Sequence, residues 1–495
     1  MLHTISPQDM REMERAFLEG TGYPSLLLME HAAQAVVRAL ASLVRADSRV
    51  LFVCGGGNNG GDGCAAARLW LAQGGRADVW LLRSPSQMKG DAGVNARLLS
   101  ACGAQVTVLY GDAPRIAPDT AAAVDALYGT GLSREIDGAG LSCVRAMNES
   151  GLPVVAVDIP SGVDGATGQV LGEAVRAQVT VTFHRAKHGH VLFPGRLLCG
   201  RLQIADIGIL PDWDGAQGID VLEDADAAAL LPDRPRDAHK GTFGHVLCVA
   251  GSAGMAGAAC LCAQAAVRSG AGLVTAACAG EVLPVLQSRV PCAMAKAVCE
   301  GAYLSAQAGE ALEALAKGKR ALVVGPGLGA KEETWAAIAP LLAMDMPKVI
   351  DADALNLLAQ YGGGVGKGAV LTPHPGEMAR LMGVSTADIL AAPADYAQQL
   401  SADLGACVVL KGATTVIAQG EDVSMNMTGC DGMATGGSGD VLAGVIAGLM
   451  AQGMPPYDAA RAGAFYHGRA GEAAQVQRGA RAMCAWDLCE SLRIE

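Results

Sequence analysis

The chain has 495 residues, of which 51% are hydrophobic and 17% are charged, a composition that excludes a disordered chain and indicates a folded globular protein. Its 37 basic and 49 acidic side chains give a net charge of −12, which argues against non-specific binding to nucleic acid. The length predicts about two to four domains of roughly 100–200 residues each.

The N-terminal segment predicts a helix with apolar side chains at Met10, Met13 and Phe17, followed by a second helix over residues 31–43. It shows no basic region followed by an apolar stretch, so no secretory signal is predicted. Short apolar strands then alternate with helical stretches such as 64–72, which predicts a parallel sheet covered on both faces. The predicted strands are 49–54, 78–82, 105–109, 121–127, 153–157, 179–183 and 202–207.

A turn-rich break, PDWDGAQG at 211–218, precedes a second series of elements. An alanine-rich helical segment is predicted at 257–269, and the C-terminal end carries a glycine loop and two helical stretches. The predicted strands of this half are 246–250, 321–324, 348–350, 369–371 and 407–410. We therefore predict two α/β domains, over residues 1–215 and 222–493.

Two bulk features bear on the protein's surroundings. The most apolar predicted helix, 441–451, is far shorter than the roughly 20 residues that cross a bilayer. The 15 cysteines are scattered without pairs at zinc-site spacing, which favours a reducing compartment over a disulfide framework. We expect a soluble cytoplasmic protein that forms a homo-oligomer and has no membrane or nucleic-acid partner.

The sequence GGGNNGGDG at 55–63 lies between a predicted strand and a predicted helix. Gly55, Gly57 and Gly60 match the dinucleotide-binding pattern G-x-G-x-x-G, which also requires an acidic residue at the end of the next strand. That strand ends in Leu82 and Arg83, so an ordinary dehydrogenase is not indicated. The backbone amides of such a loop at a helix N-terminus still predict a site for an anion.

Two further loops follow later strands, DALYGTGLSRE at 125–135 and DIPSG at 158–162. In an open parallel sheet, loops at the carboxyl ends of the strands line one crevice, so the three loops are expected to converge. Any one of their carboxylates has a helix cap or a loop brace as its simpler role. Together, however, their oxygen donors predict a site for a hard cation or for ribose hydroxyls rather than for zinc: Asn59, Asp62, Asp125, Asp158 and Ser161.

These three motifs, in this order, resemble the epimerase domain that acts on hydrated NAD(P)H, over residues 1–210. The resemblance implies a Rossmann-like three-layer α/β/α sandwich that interconverts the R and S forms at C6 of the damaged nicotinamide ring. It implies a catalytic, substrate-contacting carboxylate at Asp158 and a potassium ion held by Asn59, Asp125 and Ser161. It also implies that the hydrated dinucleotide binds Asn58, Asn59, Gly60, Gly61, Asp62, Gly129, Thr130, Gly131, Leu132, Ser133, Arg134 and Glu135.

The most specific motif of the second half is NMTGCDGMATGGSGD at 426–440, directly before the apolar helix. Its glycines leave backbone amides free to bind phosphate, and Asp440 is placed to accept a proton from a hydroxyl that is being phosphorylated. Taken alone, Asp440 has the alternative role of a helix-dipole residue. Four more motifs follow predicted strands: GPGLG at 325–329, DADALN at 351–356, TPHPGE at 372–377 and KGATT at 411–415.

This set resembles the carbohydrate dehydratase branch of the ribokinase-like superfamily, over residues 225–490. The resemblance implies a ribokinase-like α/β domain in which Ala258, Gly327 and His374 contact hydrated NADH or NADPH and Asp440 is the catalytic base. It implies a nucleotide co-substrate, which we expect to be ADP rather than ATP. A nucleotide with a phosphate to transfer normally brings Mg²⁺, so we expect this ion as well. The implied nucleotide-binding residues are Lys411, Gly412, Ala413, Thr414, Thr415 and Gly439.

Two alternatives stand beside this interpretation. A vitamin or sugar kinase with a non-catalytic N-terminal module would use the same glycine loop and aspartate, but TPHPGE and NMTGCDGMATGGSGD favour the dehydratase branch. A binding scaffold is the second, because domains resembling the N-terminal half occur in an mRNA-decapping scaffold. Degraded loops would indicate that role, whereas NNGGDG, Asp125 and Asp158 are all present here.

Overall fold

The computed structural model describes residues 1–215 and 218–495, so Ala216 and Gln217 of the predicted break lie outside the described residues. The chain divides into two compact units. The first comprises His3–Ile219, and the second comprises Asp220–Glu495 together with Met1–Leu2.

The first unit is built on a parallel sheet. Its strands are β1 (Leu2–Ile5), β2 (Arg49–Cys54), β3 (Arg76–Leu81), β4 (Gln105–Val108), β5 (Thr120–Ala126), β6 (Val154–Val157), β7 (Val179–Phe183), β8 (Ala186–Lys187) and β9 (Arg201–Ala205). Its helices are α1 (Pro7–Thr21), α2 (Ser25–Ala41), α3 (Asn58–Ala72), α4 (Gly90–Ala101), α5 (Gly138–Glu149) and α6 (Gly195–Leu198). Seven of these strands form the parallel sheet, in the order β4-β3-β2-β5-β6-β7-β9, and β1 and β8 pair in parallel with each other outside it.

Alternate residues of β2 show that this sheet is covered on both faces. Phe52 belongs to one buried apolar cluster, with residues of α1, α2 and α3, whereas Leu51 and Val53 belong to another, with residues of α5. This is the predicted three-layer α/β/α sandwich. The chain order along the sheet reverses between β2 and β5, and such a switch point opens a crevice at the carboxyl ends of the strands.

The second unit contains a mixed sheet with the order β13-β12-β11-β14-β15-β16-β17-β18-β19-β10. Its strands are β10 (Ile219–Val221), β11 (His245–Val249), β12 (Leu273–Ala279), β13 (Met294–Cys299), β14 (Ala321–Val324), β15 (Lys348–Ile350), β16 (Ala369–Leu371), β17 (Cys407–Leu410), β18 (Thr415–Gln419) and β19 (Asp422–Asn426). The first seven strands in this order, from β13 through β12 and β11 to β17, run parallel to one another. Strand β18 is antiparallel to both of its neighbours.

The helices of the second unit are α7 (Asp224–Ala229), α8 (Ala256–Arg268), α9 (Leu283–Arg289), α10 (Ala308–Ala316), α11 (Glu332–Ala343), α12 (Asp353–Tyr361), α13 (Pro375–Met382), α14 (Thr386–Ala391), α15 (Pro393–Leu404), α16 (Ser438–Ala451), α17 (Pro456–Arg478) and α18 (Ala485–Ser491). Two of them, α8 and α16, pack closely through small side chains. A Cβ atom on Gly444 of α16 would collide with the carbonyl oxygen of Cys262 on α8. Residues 441–451 are all buried, so the apolar stretch is a core helix. Within the described residues, every helix is too short or too polar to cross a membrane.

The structure departs from the sequence predictions at several places. Helices α3 and α16 begin at Asn58 and Ser438, so NNGGDG and Asp440 lie in the first helical turns rather than in preceding loops. The C-terminal end has three helices, not the predicted two, because α18 follows α17. Strands β12, β13, β18 and β19 were not predicted, since alanine, cysteine and polar residues weaken their apolar pattern.

Candidate functional site

A cleft of about 710 Å³ opens at the carboxyl ends of the strands in the first unit, a size that suits a small-molecule site. Loops after β2, β5 and β6 contribute to its lining, together with α1, α2 and β8. The structure thus brings together most of the residues predicted from the sequence. Those that line the cleft are Asn58, Asn59, Asp62, Gly129, Thr130, Gly131, Leu132, Ser133, Arg134 and Asp158.

Three of the residues predicted to bind the dinucleotide do not line this cleft. Gly60 is buried in the first turn of α3, where a Cβ atom would collide with the carbonyl oxygen of Gly55. Gly61 packs against Ala92 of α4, so both glycines allow the helix to approach its neighbours closely. Glu135 is exposed outside the cleft lining.

Asp158 lies directly after β6 in a left-handed backbone conformation, with φ of 66°. Such a conformation costs energy in a non-glycine residue and persists only where the surroundings enforce it. Its backbone N–H donates to Val181 O at 2.8 Å, and the side chain of His190 contacts its carbonyl oxygen at 2.8 Å. Its Oδ2 accepts a hydrogen bond from the amide of Thr130 at 3.3 Å. These contacts direct the carboxylate into the cleft.

Lys187 on β8 is the principal partner of Asp158, and sequence reasoning missed it. Its Nζ donates to Asp158 Oδ1 at 2.8 Å, to Thr182 Oγ1 at 2.9 Å and to Phe183 O at 3.2 Å. Burial by itself raises the pKa of Asp158, but the charge of Lys187 and its hydrogen bond bring it down to about 2. Asp158 is therefore ionised at neutral pH. The segment around Lys187 has no glycine-loop motif, and the burial of this lysine, at 2% exposure, is visible only in the structure.

Two further carboxyl groups of the same cleft have the opposite character. Burial raises the pKa of Asp62 well above its usual range, and the negative charge of Asp158 raises it further. Burial also raises the pKa of Glu14 on α1, with a further contribution from Asp158 and an opposing one from Lys187. The cleft therefore combines a fully ionised carboxylate with carboxyl groups that retain protons more readily, which is the pairing that acid–base chemistry requires.

Asp125 lies beneath the cleft and is completely buried at the end of β5. It accepts hydrogen bonds from the Ser161 amide at 2.7 Å and the Ser161 hydroxyl at 2.6 Å. Burial raises its pKa to about 6, and no cationic side chain of the described residues forms an ion pair with it. The side-chain amide of Asn59 donates to Val157 O at 3.1 Å and accepts from the Gly129 amide at 3.2 Å. A buried carboxylate without a counter-charge, beside hydroxyl and amide oxygens, fits an alkali cation.

In the second unit, Asp440 lies in the first turn of α16, after Gly437 in a left-handed conformation with φ of 93°. The Ser438 amide donates to Thr435 O at 3.4 Å, whereas the amides of Gly439 and Asp440 have no backbone partner among the described residues. The helix dipole adds to the attraction of these amides for phosphate. Burial raises the pKa of Asp440 to about 7, with a further contribution from the charge of Asp351 and an opposing one from Lys411. Its carboxylate is thus poised to exchange a proton near neutral pH.

Lys411 follows β17 and connects several motifs of the second unit. Its Nζ donates to Asp351 Oδ1 at 2.8 Å and lies 3.9 Å from Glu377 Oε2. Burial alone lowers the pKa of Lys411, but Asp351 and Glu377 raise it more, so it stays charged. Thr372 also donates to Asp351 Oδ1, at 2.8 Å. The DADALN motif was recognised in the sequence, but no role was predicted for Asp351, whose importance comes from these contacts.

Lys411 also lies close to α16, since a Cβ atom on Gly439 would be 3.2 Å from its Nζ. The predicted residues Lys411, Gly439 and Asp440 are therefore brought together. Gly412 and Ala413 are exposed in the turn that precedes β18, and Thr415 Oγ1 donates to Gly412 O at 3.3 Å. The carboxylates of Glu377 and Asp351 beside Lys411 fit Mg²⁺, which binds one or two carboxylates together with the phosphates of a nucleotide.

His374 occupies the N-cap of α13, where its Nδ1 accepts hydrogen bonds from the amides of Gly376 and Glu377. Burial, with the nearby positive charges of Lys411 and Arg380, lowers its pKa, so the ring is neutral and its Nε2 carries the hydrogen. The side chain is 51% exposed, and its Nε2 lies 3.5 Å from Oε1 of Glu377, so a ligand that binds this nitrogen would share it with that carboxylate.

Gly327 and Ala258 adjoin each other at the carboxyl end of the sheet. Gly327 has φ of 62°, and Ser252 Oγ donates to its carbonyl oxygen at 2.8 Å. A Cβ atom on Gly327 would lie 3.0 Å from that of Ala258, so a side chain at position 327 would fill the space above the first turn of α8.

Comparison with known proteins gives matches for both units. A sequence profile described as YjeF-related protein N-terminus matches residues 25–189, and one described as NAD(P)H-hydrate dehydratase matches residues 246–493. An ADP/ATP-dependent NAD(P)H-hydrate dehydratase of Bacillus subtilis, co-crystallised with ATP and Mg²⁺, is 33% identical. It covers 56% of this chain and 97% of its own, with a TM-score of 0.51. A ribokinase-like superfamily protein of Enterococcus faecalis is 27% identical over the same share, also with a TM-score of 0.51.

Relatives that match almost the whole chain carry both units. The bifunctional NAD(P)H-hydrate repair enzyme Nnr of Moorella thermoacetica is 40% identical over 99% of this chain and 96% of its own length. The protein of the same name from Coxiella burnetii is 36% identical over 98% of each chain. The fold class and the resemblance predicted from the motifs are confirmed, and the chain belongs to the family of bifunctional NAD(P)H-hydrate repair enzymes.

Proposed function

We propose that this enzyme repairs hydrated NADH and NADPH in two reactions. The first unit interconverts the R and S forms at C6 of the hydrated nicotinamide ring. The second unit dehydrates the S form at the expense of ADP, which yields NAD(P)H, phosphate and AMP. The observation that carries the proposal is Asp440, whose pKa of about 7 belongs to a carboxylate in the first turn of a glycine-initiated helix beside the Lys411 ammonium.

Epimerisation requires the hydroxyl at C6 to leave and return on the opposite face of the ring. The leaving hydroxyl takes up a proton and departs as water, and the water that adds back gives up a proton. Asp62, with its raised pKa, is suited to act as the acid that gives up this proton. Asp158, ionised beside Lys187, is suited to act as the base and to stabilise a positively charged ring. We place the ring near Asp158 because its carboxylate and Asp62 line the same cleft.

The remaining residues of the first unit would hold the dinucleotide. Asn58, Asn59 and residues 129–134 line the cleft, and their amide, hydroxyl and guanidinium groups suit phosphate and ribose groups. We propose potassium as the cation held by Asn59, Asp125 and Ser161. Bound there, potassium would neutralise the buried carboxylate and link the loops after β2, β5 and β6.

In the second unit, Asp440 would remove the proton of the ring hydroxyl as that oxygen attacks the β-phosphorus of ADP. The bond from this phosphorus to the bridging oxygen breaks, and AMP leaves. The carbon–oxygen bond of the phosphorylated ring then breaks, phosphate departs, and the adjacent carbon loses a proton, which restores the double bond of NAD(P)H. Lys411 and the amides of Gly437 and Gly439 would stabilise the charge on the transferred phosphoryl group.

The binding assignments in this unit follow the same arrangement. The hydrated dinucleotide would contact Ala258, Gly327, His374 and Asp440. The adenine nucleotide would bind Gly439 and residues 411–415, with Mg²⁺ held by its phosphates and Glu377 to neutralise their charge. We propose ADP in preference to ATP, and a cytoplasmic homo-oligomer as the working form.

Each reaction can be tested separately on the full chain. Purified S hydrate with Mg²⁺ should give NADPH absorbance when ADP is added, and ADP should be more effective than ATP. Purified R hydrate without nucleotide should convert to a mixture of epimers, and chromatography would measure this conversion. A chain that leaves both hydrates unchanged but phosphorylates a vitamin or sugar alcohol would contradict the proposal in favour of the kinase alternative.

A further inference from the structure

Arg83 follows β3 at the carboxyl end of the sheet and lies across the glycine turn that precedes α3. A Cβ atom on Gly56 would be 2.5 Å from Cδ and 3.0 Å from Nε of Arg83, so the side chain passes directly over this glycine. Arg83 lines the cleft together with Gly56, Gly57 and Asn58. Among the described residues its guanidinium has no hydrogen bond and no ion pair, which leaves its charge available to a ligand.

The position of Arg83 relative to the sheet indicates which part of a dinucleotide it would contact. β3 lies directly beside β2, the strand that leads into the glycine turn. In α/β folds that bind a dinucleotide at such a turn, the end of this neighbouring strand faces the adenosine ribose. An acidic residue there accepts a hydrogen bond from the ribose 2′-hydroxyl, whereas an arginine accommodates a 2′-phosphate. This chain has Leu82 and Arg83 at that position and no carboxylate.

We propose that Arg83 makes the epimerase select the 2′-phosphorylated hydrate, that of NADPH, over the hydrate of NADH. This inference rests on the proposed epimerase function and deepens it. A guanidinium and a phosphate form paired, charge-assisted hydrogen bonds, and the uncharged ribose hydroxyl of the other substrate offers no equivalent.

The other charges of the cleft leave this role to Arg83. Asp158 is paired with Lys187, and Asp91 on α4 accepts a hydrogen bond from Ser25 Oγ at 2.5 Å. Arg11 and Arg134 also line the cleft, but Arg11 belongs to α1 and Arg134 to the loop after β5, so neither lies at the end of β3. Of the two, Arg134 is the one used for comparison. It is placed to meet a group that both substrates share, such as the pyrophosphate, and so provides a matched arginine for comparison.

The test is the epimerisation of purified R hydrates of NADPH and NADH by the full chain without nucleotide, so that the dehydratase is inactive. For the wild type, we expect kcat/KM to be about 10- to 100-fold higher for the NADPH hydrate, the range for hydrogen bonds to charged groups. Arg83→Gln should bring this ratio near one by lowering kcat/KM for the NADPH hydrate alone. Arg83→Asp should favour the NADH hydrate. Arg134→Gln should lower both values in parallel and keep the ratio.

A wild-type ratio near one would overturn the inference, as would an Arg83→Gln variant that keeps the wild-type ratio or loses both activities equally. A wild-type chain that epimerises neither hydrate would give no ratio at all. That result would overturn the proposed epimerase function itself, and this inference with it.

Discussion

Nζ of Lys187 lies 2.8 Å from Oδ1 of Asp158, at the base of the cleft in the first unit. Lys187 is buried and Asp158 is largely buried, with side-chain exposures of 3% and 13%, so their attraction is only weakly screened by solvent. The pair keeps Asp158 ionised in a site where burial alone would favour the protonated acid. It therefore explains how a carboxylate next to Asp62 and Glu14 remains available as a base.

Lys187→Met should lower epimerase kcat at least about 100-fold, because the pKa of Asp158 would rise and the base would be lost. Leaving a buried charge unpaired should also destabilise the first unit, by about 3–5 kcal/mol. The double variant Lys187→Met with Asp158→Asn should recover much of the unfolding free energy but no epimerase activity. Full activity in a folded Lys187→Met variant, measured by separating the epimers, would show that the lysine has no role in catalysis.

Potassium should stabilise the first unit and support epimerisation. The folded-state pKa of Asp125 is raised to about 6, so without a cation the folded state loses stability as pH rises from about 4 to about 6. At pH 8 the carboxylate is ionised, and added potassium should raise Tm. Asp125→Asn should abolish this increase and weaken epimerisation while the dehydratase continues to act on S hydrate. Equal Tm and equal epimerase rates in a buffer without metal cations would contradict the site.

The rate of the dehydratase reaction should depend on pH through the protonation of Asp440. Because the base must be deprotonated, kcat/KM for S hydrate should rise with pH, level off above about 7 and fall tenfold per unit on the acid side. Asp351→Asn removes a negative charge that raises the pKa of Asp440, so it should move the acid limb to lower pH. Lys411→Met removes a positive charge and should move it to higher pH. A profile that is flat between pH 5 and 8 would exclude Asp440 as the titrating base.

The two units should be separable. Residues 1–219 contain the whole first sheet and its apolar clusters, and the cleft is lined by residues of this unit alone. A fragment of these residues should fold cooperatively and epimerise R hydrate without nucleotide. A folded fragment that leaves R hydrate unchanged would show that the proposed activity of the first unit is wrong, and circular dichroism would establish that it is folded.

Much of this architecture is predictable from the sequence because apolar strands and glycine turns are local signals. Strands such as β2, β7 and β14 have the predicted bounds, and Asp158 and Asp440 were found through contiguous motifs. Lys187 could not be found in this way, because its strand, β8, is only two residues long. The role of Lys187 comes from its ion pair with Asp158, which lies 29 positions earlier. Asp351 likewise acquires its role from Lys411, 60 positions later.

The most direct test of the proposed function is the repair of a mixture of R and S hydrates of NADPH by the full chain with ADP and Mg²⁺. The absorbance of NADPH measures the repair. The wild type should restore the entire mixture. Asp158→Asn should restore the S fraction at the wild-type rate and then stop, apart from slow spontaneous epimerisation. Asp440→Asn should still epimerise, but its dehydratase rate should fall by about 100- to 10,000-fold. Near-full repair by folded Asp440→Asn would contradict the account and reduce Asp440 to a helix-terminal residue.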